Sequence, residues 1–413
     1  MHWGGNKRVS YLARGDKPIL RSNVGNEKGK NPTREYIVNR KKLRDIVFYL
    51  HQYIGFFVGL VLVIVGLTGS LLVFEQDFDH FMIARHYGHI TPQQVQVVSP
   101  EDVVNTIQAG RSEQKLFRIY LPDTSSSPYV GQLSSADEER TEVFVNPYTG
   151  AIMGERIGET LISMLFKLHI SVMAGETGTI IVGIAAFLMC ILTITGFILW
   201  PGWRKLIAGF KIKLDAHPQR ANFDIHKVAG IITVVFLFFT GFTGFCWNFG
   251  GFTEPIIYAV TFTPKPSELV SKPIPGKSTL NLTQQLKIAN AALPSAVTKS
   301  IYFPGKPEDA LQIRMKLPQE SSDYGDSNVY LDQYTGEVLR VDNALKLALG
   351  SAVLNSFTPL HYGTFGGLPT RILYVFVGLA PLVLFITAFM MSWYRYWTKP
   401  KRGDSVIELS QKL

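Results

Sequence analysis

The sequence predicts a membrane α-helical bundle of four transmembrane helices, arranged as a tandem duplication, with two extracytoplasmic α+β domains. Three observations predict this class. The 413 residues are 46% hydrophobic and 12% aromatic, with a positive mean hydropathy, which is unusual for a water-soluble domain of this size. Four runs are long and apolar enough to cross a hydrocarbon core of about 30 Å. Similar motifs also recur at fixed separations in the two halves of the chain.

The predicted spans divide the chain into nine segments. The most apolar runs are Leu50 to Phe74, Ile180 to Trp200, Val228 to Phe249 and Ile372 to Trp393. Forty-five polar residues precede the first run, so we expect it to be retained as an anchor rather than cleaved as a signal peptide. The predicted segments are a basic tail (1–45), span 1 (46–75), an outer domain (76–158), a short helix with span 2 (159–203), a cytoplasmic loop (204–222), span 3 (223–250), an outer domain (251–345), a short helix with span 4 (346–398) and a tail (399–413).

The distribution of charge predicts the orientation of the spans. Lys and Arg outnumber Asp and Glu by 12 to 4 in residues 1–45, by 5 to 1 in residues 202–221 and by 5 to 2 in residues 395–413. Short positive segments stay in the cytoplasm. Both termini are therefore expected inside and the two long segments outside, and the basic net charge of +9 reflects topology rather than a nucleic-acid partner.

Internal repeats support the duplication. "HQYIGFFVGLVLVIVGLTG" aligns with "HKVAGIITVVFLFFTGFTG" at a separation of 175 residues, which places His51 over His226. "LHISVMAG" aligns with "LHYGTFGG" at a separation of 192, which places His169 over His361 and, further on, Thr195 over Thr387. In the outer segments "VFVNPYTGAIMGE" resembles "VYLDQYTGEVLRV". Each half is therefore predicted to consist of a span, an outer domain and a second span.

Each outer domain is predicted to be α+β. Pro100 to Gln108 and Thr283 to Ala292 have helical periodicity, and alternating runs such as "KLFRIYLP" and "ALQIRMKLP" are typical of strands. "PYTG" and "QYTG" indicate hairpin turns. We find no nucleophile triad and no metal-ligand cluster in these segments, so the chemistry is expected in the membrane.

Four of the nine histidines occupy corresponding places near the ends of the predicted spans. With the predicted orientation, His51 and His226 lie near the cytoplasmic face, whereas His169 and His361 lie near the outer face. Two facing neutral imidazoles form the bis-axial ligand set of a b-type haem. The sequence therefore predicts two haem b groups, with these four histidines as ligands to the iron.

Glycines support this hypothesis, although they also have an ordinary explanation. Gly55 and Gly230 follow His51 and His226 by four residues, and a residue without a side chain leaves room for a porphyrin plane. Alternatively, Gly55 and Gly59 form a GxxxG pair that packs helices together, and a single histidine at a span's edge can simply lie at headgroup level. Four duplicated histidines favour the functional interpretation, because ionisable groups in membranes are costly.

Other residues are weaker candidates. Arg371 and Lys167 lie near the outer edge of the spans, where they can pair with haem propionates, although snorkelling explains Arg371 nearly as well. His80, His86 and His89 follow the first span and are expected in a solvated loop. Cys190 and Cys246 lie inside predicted spans, where we expect apolar filling and no disulfide.

The combination of "LHQYIGFFVGLVLVIVGLTGSLLVF", "VFVNPYTGAIMGE", "FKLHISVMAG" and "LTITGFILWPGWR" resembles the PepSY-associated transmembrane family over about residues 40–398. The resemblance implies two PepSY-like outer domains, and it implies that His51, His169, His226 and His361 are the family histidines. Members include bacterial inner-membrane proteins of iron uptake that are similar to haem-containing reductases of ferric siderophores. The last span departs from the pattern, with Ala388 where the earlier copy has Gly196.

The resemblance implies a reductase that passes electrons outward through the bacterial inner membrane to a ferric siderophore. The electron donor is expected to be a separate cytoplasmic protein, a quinol or a diffusible reductant, because no cytoplasmic segment is large enough for a flavin or nicotinamide domain. Membrane lipid is the other expected partner, and nucleic acid is not one. Two alternatives remain: a transporter for iron or an iron chelate, which favours polar groups inside its spans, and a regulatory PepSY-type membrane protein without haem.

Overall fold

A computed structural model describes residues 32–397, apart from residues 94–95, 136–138, 277 and 321. Most of the predicted N-terminal tail and the predicted tail 399–413 therefore lie outside the described residues. The chain divides into two compact units, residues 1–46 and residues 47–413. Of the first unit the structure describes only the beginning of a helix, so the fold below is that of the second.

Helices and strands follow the same order in both halves of this unit. The first half contains α1 (Pro32–Leu72), α2 (Glu75–Tyr87), α3 (Pro100–Gln108), β1 (Lys115–Tyr120), β2 (Tyr129–Ser134), β3 (Arg140–Val145), β4 (Ile152–Ile157), α4 (Leu161–Ser171) and α5 (Gly175–Leu199). A short helix, α6 (Leu206–Phe210), leads to the second half. That half contains α7 (Pro218–Asn248), α8 (Gly250–Val260), α9 (Leu282–Ala292), β5 (Val297–Tyr302), β6 (Leu311–Lys316), β7 (Ser327–Leu331), β8 (Val338–Asp342), α10 (Leu349–Tyr362) and α11 (Leu368–Trp397).

Four helices are long and apolar enough to cross a membrane. They cover Lys41–Leu72, Gly175–Trp203, Pro218–Asn248 and Leu368–Arg395, and each overlaps all or nearly all of one predicted apolar run. The prediction of four spanning helices is therefore confirmed, and the protein is a multi-pass membrane protein. Helices α1 and α7 lead into the sheet and α5 and α11 follow it, so each span has one end proximal to the sheet and one distal end.

Glycines let the spans cross closely. A Cβ atom at Gly66 of α1 would lie 2.5 Å from the carbonyl oxygen of Gly378 on α11, and one at Gly241 of α7 would lie 3.0 Å from the carbonyl oxygen of Ala186 on α5. Small residues permit such backbone contacts in membrane bundles. Gly66 and Gly241 therefore serve helix packing, and they correspond to each other in the repeat.

The eight strands form one antiparallel sheet with the order β4-β3-β2-β1-β5-β6-β7-β8. The sequence predicted two separate outer domains, whereas the structure joins their strands edge to edge where β1 pairs with β5. Arg118 pairs with Tyr302 and Tyr120 with Ser300 across this seam. The merger has a physical reason: each four-stranded half has an unpaired edge at its first strand, and pairing the two edges satisfies both rows of backbone groups.

The two faces of the sheet differ in chemistry. One face forms the core with α3 and α9, where Ile107, Ile119 and Ile313 are fully buried. The other face carries polar and charged side chains, and part of it lies opposite the bundle. A cavity of about 520 Å³ separates Gln312 and Tyr330 on this face from residues of α8 and α10.

Candidate functional site

The four predicted histidines come together in two pairs. The rings of His51 on α1 and His226 on α7 have centroids 6.3 Å apart and are nearly perpendicular, at 87°. The rings of His169 on α4 and His361 on α10 have centroids 6.0 Å apart, at 83°. We call the first the distal pair and the second the proximal pair, after the ends of the spans at which they lie.

A threonine one helix away contacts the Nδ1 atom of each histidine. In the distal pair, His51 contacts Thr195 on α5 and His226 contacts Thr387 on α11. In the proximal pair, His169 contacts Thr68 on α1 and His361 contacts Thr243 on α7. The Nδ1 to Oγ1 distances are 2.9 Å for His51, 3.0 Å for His226, 3.1 Å for His169 and 2.7 Å for His361.

These threonines determine which nitrogen of each imidazole carries the proton. Each hydroxyl donates its only hydrogen to the carbonyl four residues earlier on its own helix, as Thr243 does to Phe239 at 2.7 Å. Toward the histidine the hydroxyl oxygen can then only accept. The carbonyl oxygens of Val65 and Leu384 also lie 2.9 and 3.1 Å from the Nδ1 atoms of His169 and His226. The hydrogen therefore lies on Nδ1, and Nε2 keeps its lone pair.

This tautomer is the one that a metal-ligating histidine needs. A ligating imidazole usually donates its second N–H to an oxygen, which fixes the ring and raises its basicity. Among the described residues, Nε2 has no hydrogen-bond partner in any of the four histidines. All four rings are therefore oriented by Nδ1 and have Nε2 available as a ligand.

The ring separation matches two ligands on one metal ion. Two metal–imidazole bonds of about 2 Å each, extended to the ring centres, place the centroids roughly 6 Å apart. Within the part of the chain that the structure describes, no group of three or more His, Cys, Asp or Glu side chains is placed to hold a bare metal ion. Haem iron needs only two axial ligands from the protein, so the two pairs fit haem.

A glycine follows the threonine at three of the four sites and lies against the same histidine ring. An added Cβ atom would lie 3.0 Å from Cε1 of His169 at Gly69, 3.2 Å from Cε1 of His51 at Gly196 and 3.5 Å from Cε1 of His361 at Gly244. Sequence reasoning missed this role for the glycines. The signal was a Thr-Gly dipeptide in the first three spans, replaced by Thr387 and Ala388 in the last.

The predicted haem-facing glycines lie in less crowded places. A Cβ atom at Gly55 would meet only Leu192, and one at Gly230 would meet only Leu384, each at an ordinary contact distance of 3.7 Å. Neither glycine is therefore required by protein packing, in contrast to Gly66 and Gly241. Their role beside a porphyrin stays a prediction.

Tight turns hold the proximal histidines. Helix α4 starts with a capping box between Thr160 and Ser163 and ends at Val172, whose φ of 42° is left-handed. A β-branched residue in this region is strained, and such strain is often found at functional sites. Helix α10 ends at Gly363, with a φ of 71° that glycine adopts freely. Both turns come within three residues of the proximal histidines.

Arg371 has protein partners. It forms an ion pair with Asp77, donates from Nη2 to the carbonyl oxygen of Val73 at 3.0 Å and stacks over Phe74 with its Cζ 4.4 Å from the ring centroid. Its predicted contact with a haem propionate therefore stays a prediction. Lys167 pairs with Glu159 on the surface.

The histidines that follow the first span belong to neither pair. The sequence predicted a solvated loop for them, whereas His80 and His86 lie on α2. His89 follows that helix, and all three side chains are exposed. The expected solvent exposure is therefore confirmed, and the loop prediction was wrong only for His80 and His86, because a second helix starts three residues after α1 ends at Leu72.

The two pairs lie near opposite ends of the spans. His51 belongs to the distal pair and Thr68 contacts the proximal pair. They are separated by 17 residues of α1, or roughly 25 Å at about 1.5 Å per residue. His226 and Thr243 have the same separation on α7. A hydrocarbon core is about 30 Å thick. The two pairs are therefore separated by a distance close to the thickness of the membrane.

The comparison with known families agrees with this architecture. A family model, the PepSY-associated TM region, matches residues 48–395. This range includes most of the first spanning helix, the other three spanning helices, the sheet and both histidine pairs. No curated protein matches the sequence. The chain therefore belongs to the PepSY-associated transmembrane family.

Proposed function

We propose that the protein is a di-haem b transmembrane electron-transfer protein that reduces ferric siderophores on the sheet side of the membrane. The observation that carries the proposal is the pair of matched bis-histidine sites, each with Nδ1 bonded to oxygen and Nε2 available. The protein would then act as an oxidoreductase of iron uptake, with haem b as its cofactor.

The charge distribution and the fold together support an orientation. The basic segments adjoin the distal ends of the spans, and the sheet adjoins the proximal ends. Positive loops remain in the cytoplasm. In this proposal the protein lies in a bacterial inner membrane with both termini in the cytoplasm, the distal pair near the cytoplasmic face and the proximal pair near the periplasm.

The residues of the chain would position the haems and set their electronic environment. Bound haem would supply a one-electron relay, since its iron alternates between the ferrous and ferric states. His51 and His226 would hold one haem, and His169 and His361 the other. Thr195, Thr387, Thr68 and Thr243 keep the four rings in the correct tautomer, as outer-shell partners do in other metal sites.

The reaction would add one electron to the ferric ion of the siderophore, which would become ferrous, and a haem held by His169 and His361 would supply that electron. The resemblance to iron-uptake proteins supports a siderophore as the acceptor, because a siderophore holds ferrous iron more weakly than ferric iron. The electrons would come from a separate cytoplasmic protein or a quinol.

The experiment uses purified full-length protein reduced chemically under anaerobic conditions. Mixing with a ferric siderophore should reoxidise both haems, followed by the Soret band, and a chromogenic chelator should trap ferrous iron. His361→Ala should slow the trapping strongly, because the proximal haem is the last step of the relay. His89→Ala, an exposed histidine outside both pairs, is the matched control. A purified protein without a Soret band, or reduced haems that persist across a panel of ferric siderophores, contradicts the proposal.

A further inference from the structure

Arginines on the sheet and in the loop before β1 differ in their partners. Arg111, Arg156 and Arg340 each pair with a carboxylate: Glu155, both Asp79 and Glu142, and Asp342. Arg118 on β1 and Arg314 on β6 have no carboxylate within ion-pair distance among the described residues. The Nε atoms of both are buried and lack a hydrogen-bond partner within the same described part.

The two unpaired arginines share one aromatic ring at the centre of the sheet. The Cζ of Arg118 lies 4.0 Å from the ring centroid of Tyr302, and the Cζ of Arg314 lies 5.8 Å from it. The two charges are thus no more than about 10 Å apart, which is about one Debye length at 0.1 M salt. Arg118 also donates to the hydroxyl of Tyr120.

Two neighbouring guanidinium groups with unpaired, buried Nε atoms are unfavourable unless a further group, such as an anion, binds to them. Both guanidinium groups are charged at physiological pH, and each buried donor without a partner loses its hydration. A buried unsatisfied group in a folded protein calls for an explanation, such as a bound ion or an ordered water. Two guanidinium groups, one of them bonded to the hydroxyl of Tyr120, match the donors that recognise carboxylate and phenolate oxygens.

The two arginines lie on the face of the sheet opposite the core. Arg118 and Arg314 each follow or precede by one residue a fully buried isoleucine, Ile119 on β1 and Ile313 on β6, and successive side chains of a strand point to opposite faces. Gln312, two residues before Arg314 on β6, lines the cavity between this face and residues of α8 and α10. Helix α10 also carries His361 of the proximal pair, so the arginines share the face of the sheet that lies opposite the bundle.

We propose that Arg118 and Arg314, with Tyr120 and Tyr302, bind an anionic, oxygen-rich metal chelate at the centre of the sheet. This inference rests on the proposed function for the identity of the chelate, since the proposed electron acceptor is a ferric chelate reduced on the sheet side of the membrane. It names the substrate class: chelates with free carboxylate or phenolate charge, in preference to uncharged ones. The anion site itself depends only on the arginines.

The test measures binding of gallium(III) citrate to the haem-loaded, full-length protein in phosphatidylcholine nanodiscs by calorimetry. Gallium(III) resembles ferric iron in its coordination but is not reduced, so binding is separated from electron transfer. Arg118→Gln and Arg314→Gln should each weaken binding about tenfold or more, because charge-assisted hydrogen bonds contribute about 1.5–3 kcal/mol. Arg340→Gln is the matched control, since its guanidinium pairs with Asp342 and stacks over Tyr330.

A second measurement needs no variant. The uncharged gallium(III) tris-acetohydroxamate should bind wild-type protein at least tenfold more weakly than gallium(III) citrate. Equal affinities for the two chelates, equal losses in all three variants, or loss of citrate binding when the discs contain anionic phosphatidylglycerol each overturn the proposal. The last result would assign the arginines to lipid headgroups. Arginine-dependent gallium binding without reduction of any ferric chelate would keep the anion site and refute only the reductase.

Discussion

The distal and proximal histidine pairs have almost the same ring separation, 6.3 and 6.0 Å, yet they are built differently. Both distal histidines, His51 and His226, belong to the long spanning helices α1 and α7. Both proximal histidines, His169 and His361, belong to the short helices α4 and α10. The spans themselves hold the distal histidines, whereas turns beside the sheet hold the proximal ones.

The threonines show how the two sites depend on each other. Helix α1 carries His51 of the distal pair and Thr68, the threonine that contacts His169 of the proximal pair. Helix α7 likewise carries His226 of the distal pair and Thr243, which contacts His361. A rotation of either helix about its axis would therefore disturb both pairs at once.

The surroundings of the two pairs differ more than their geometry. Next to the distal pair, the carboxylate of Asp224 is fully buried and bonded to Lys227 at 2.6 Å, and Lys227 also donates to the carbonyl oxygen of Ala208. Next to the proximal pair, the ring centroid of Trp247 lies 4.8 Å from that of His361. A satisfied ion pair thus secures the distal end, and aromatic rings extend from the proximal end toward the sheet.

Replacing one histidine of a pair should have the largest effect, and it tests whether the distal and proximal sites are separate. His169→Ala or His361→Ala should remove about one of two haems per chain and leave the distal haem spectrally intact, because each haem needs both of its axial ligands. His51→Ala or His226→Ala should do the converse. Haem quantified per chain, together with the redox difference spectrum, measures the outcome. His86→Ala is the control, as an exposed histidine on α2. Loss of both haems from every variant would show that the sites are not separable.

Removing a threonine hydroxyl should have a smaller effect confined to one pair. Thr243→Val removes the acceptor for Nδ1 of His361 while keeping the shape of the side chain. Loss of such outer-shell partners weakens metal affinity about 10- to 100-fold in other sites, so we expect the proximal haem to dissociate about tenfold faster to a haem-scavenging protein. Thr233→Val is the matched control on the same helix, because its hydroxyl donates only to Ala229. Equal dissociation rates in the two variants would refute the orienting role.

Adding a methyl group beside a ring should give the smallest effect. Gly69→Ala places a Cβ atom 3.0 Å from His169, and Gly196→Ala places one 3.2 Å from His51. The ring must shift by a few tenths of an ångström, so each variant should broaden or shift the absorption band of one haem only. Gly251→Ala, where nothing lies within 4 Å of the added atom, is the control. If both bands shift in either variant, the sites are coupled more tightly than their separation suggests.

The sequence by itself determined the four spans, their order and the grouping of the histidines. It could do so because apolar length is a local property, and because the spacing between His51 and Gly55 recurs between His226 and Gly230. The family follows from the same repeated motifs. The helices and strands of the outer segments could likewise be predicted from helical periodicity and strand alternation, since both patterns depend only on residues close together in the sequence.

Only the tertiary structure decided which groups contact each other. The Thr-Gly dipeptides were visible, but their role depends on a neighbouring helix that brings the histidine within 3.1 Å of Thr68. The single sheet was also not predictable, because the β1–β5 seam pairs residues about 180 positions apart with no turn between them. The unpaired state of Arg118 and Arg314 depends on the same seam, which brings both guanidinium groups to one tyrosine ring. Long-range packing sets these contacts, and local sequence does not encode it.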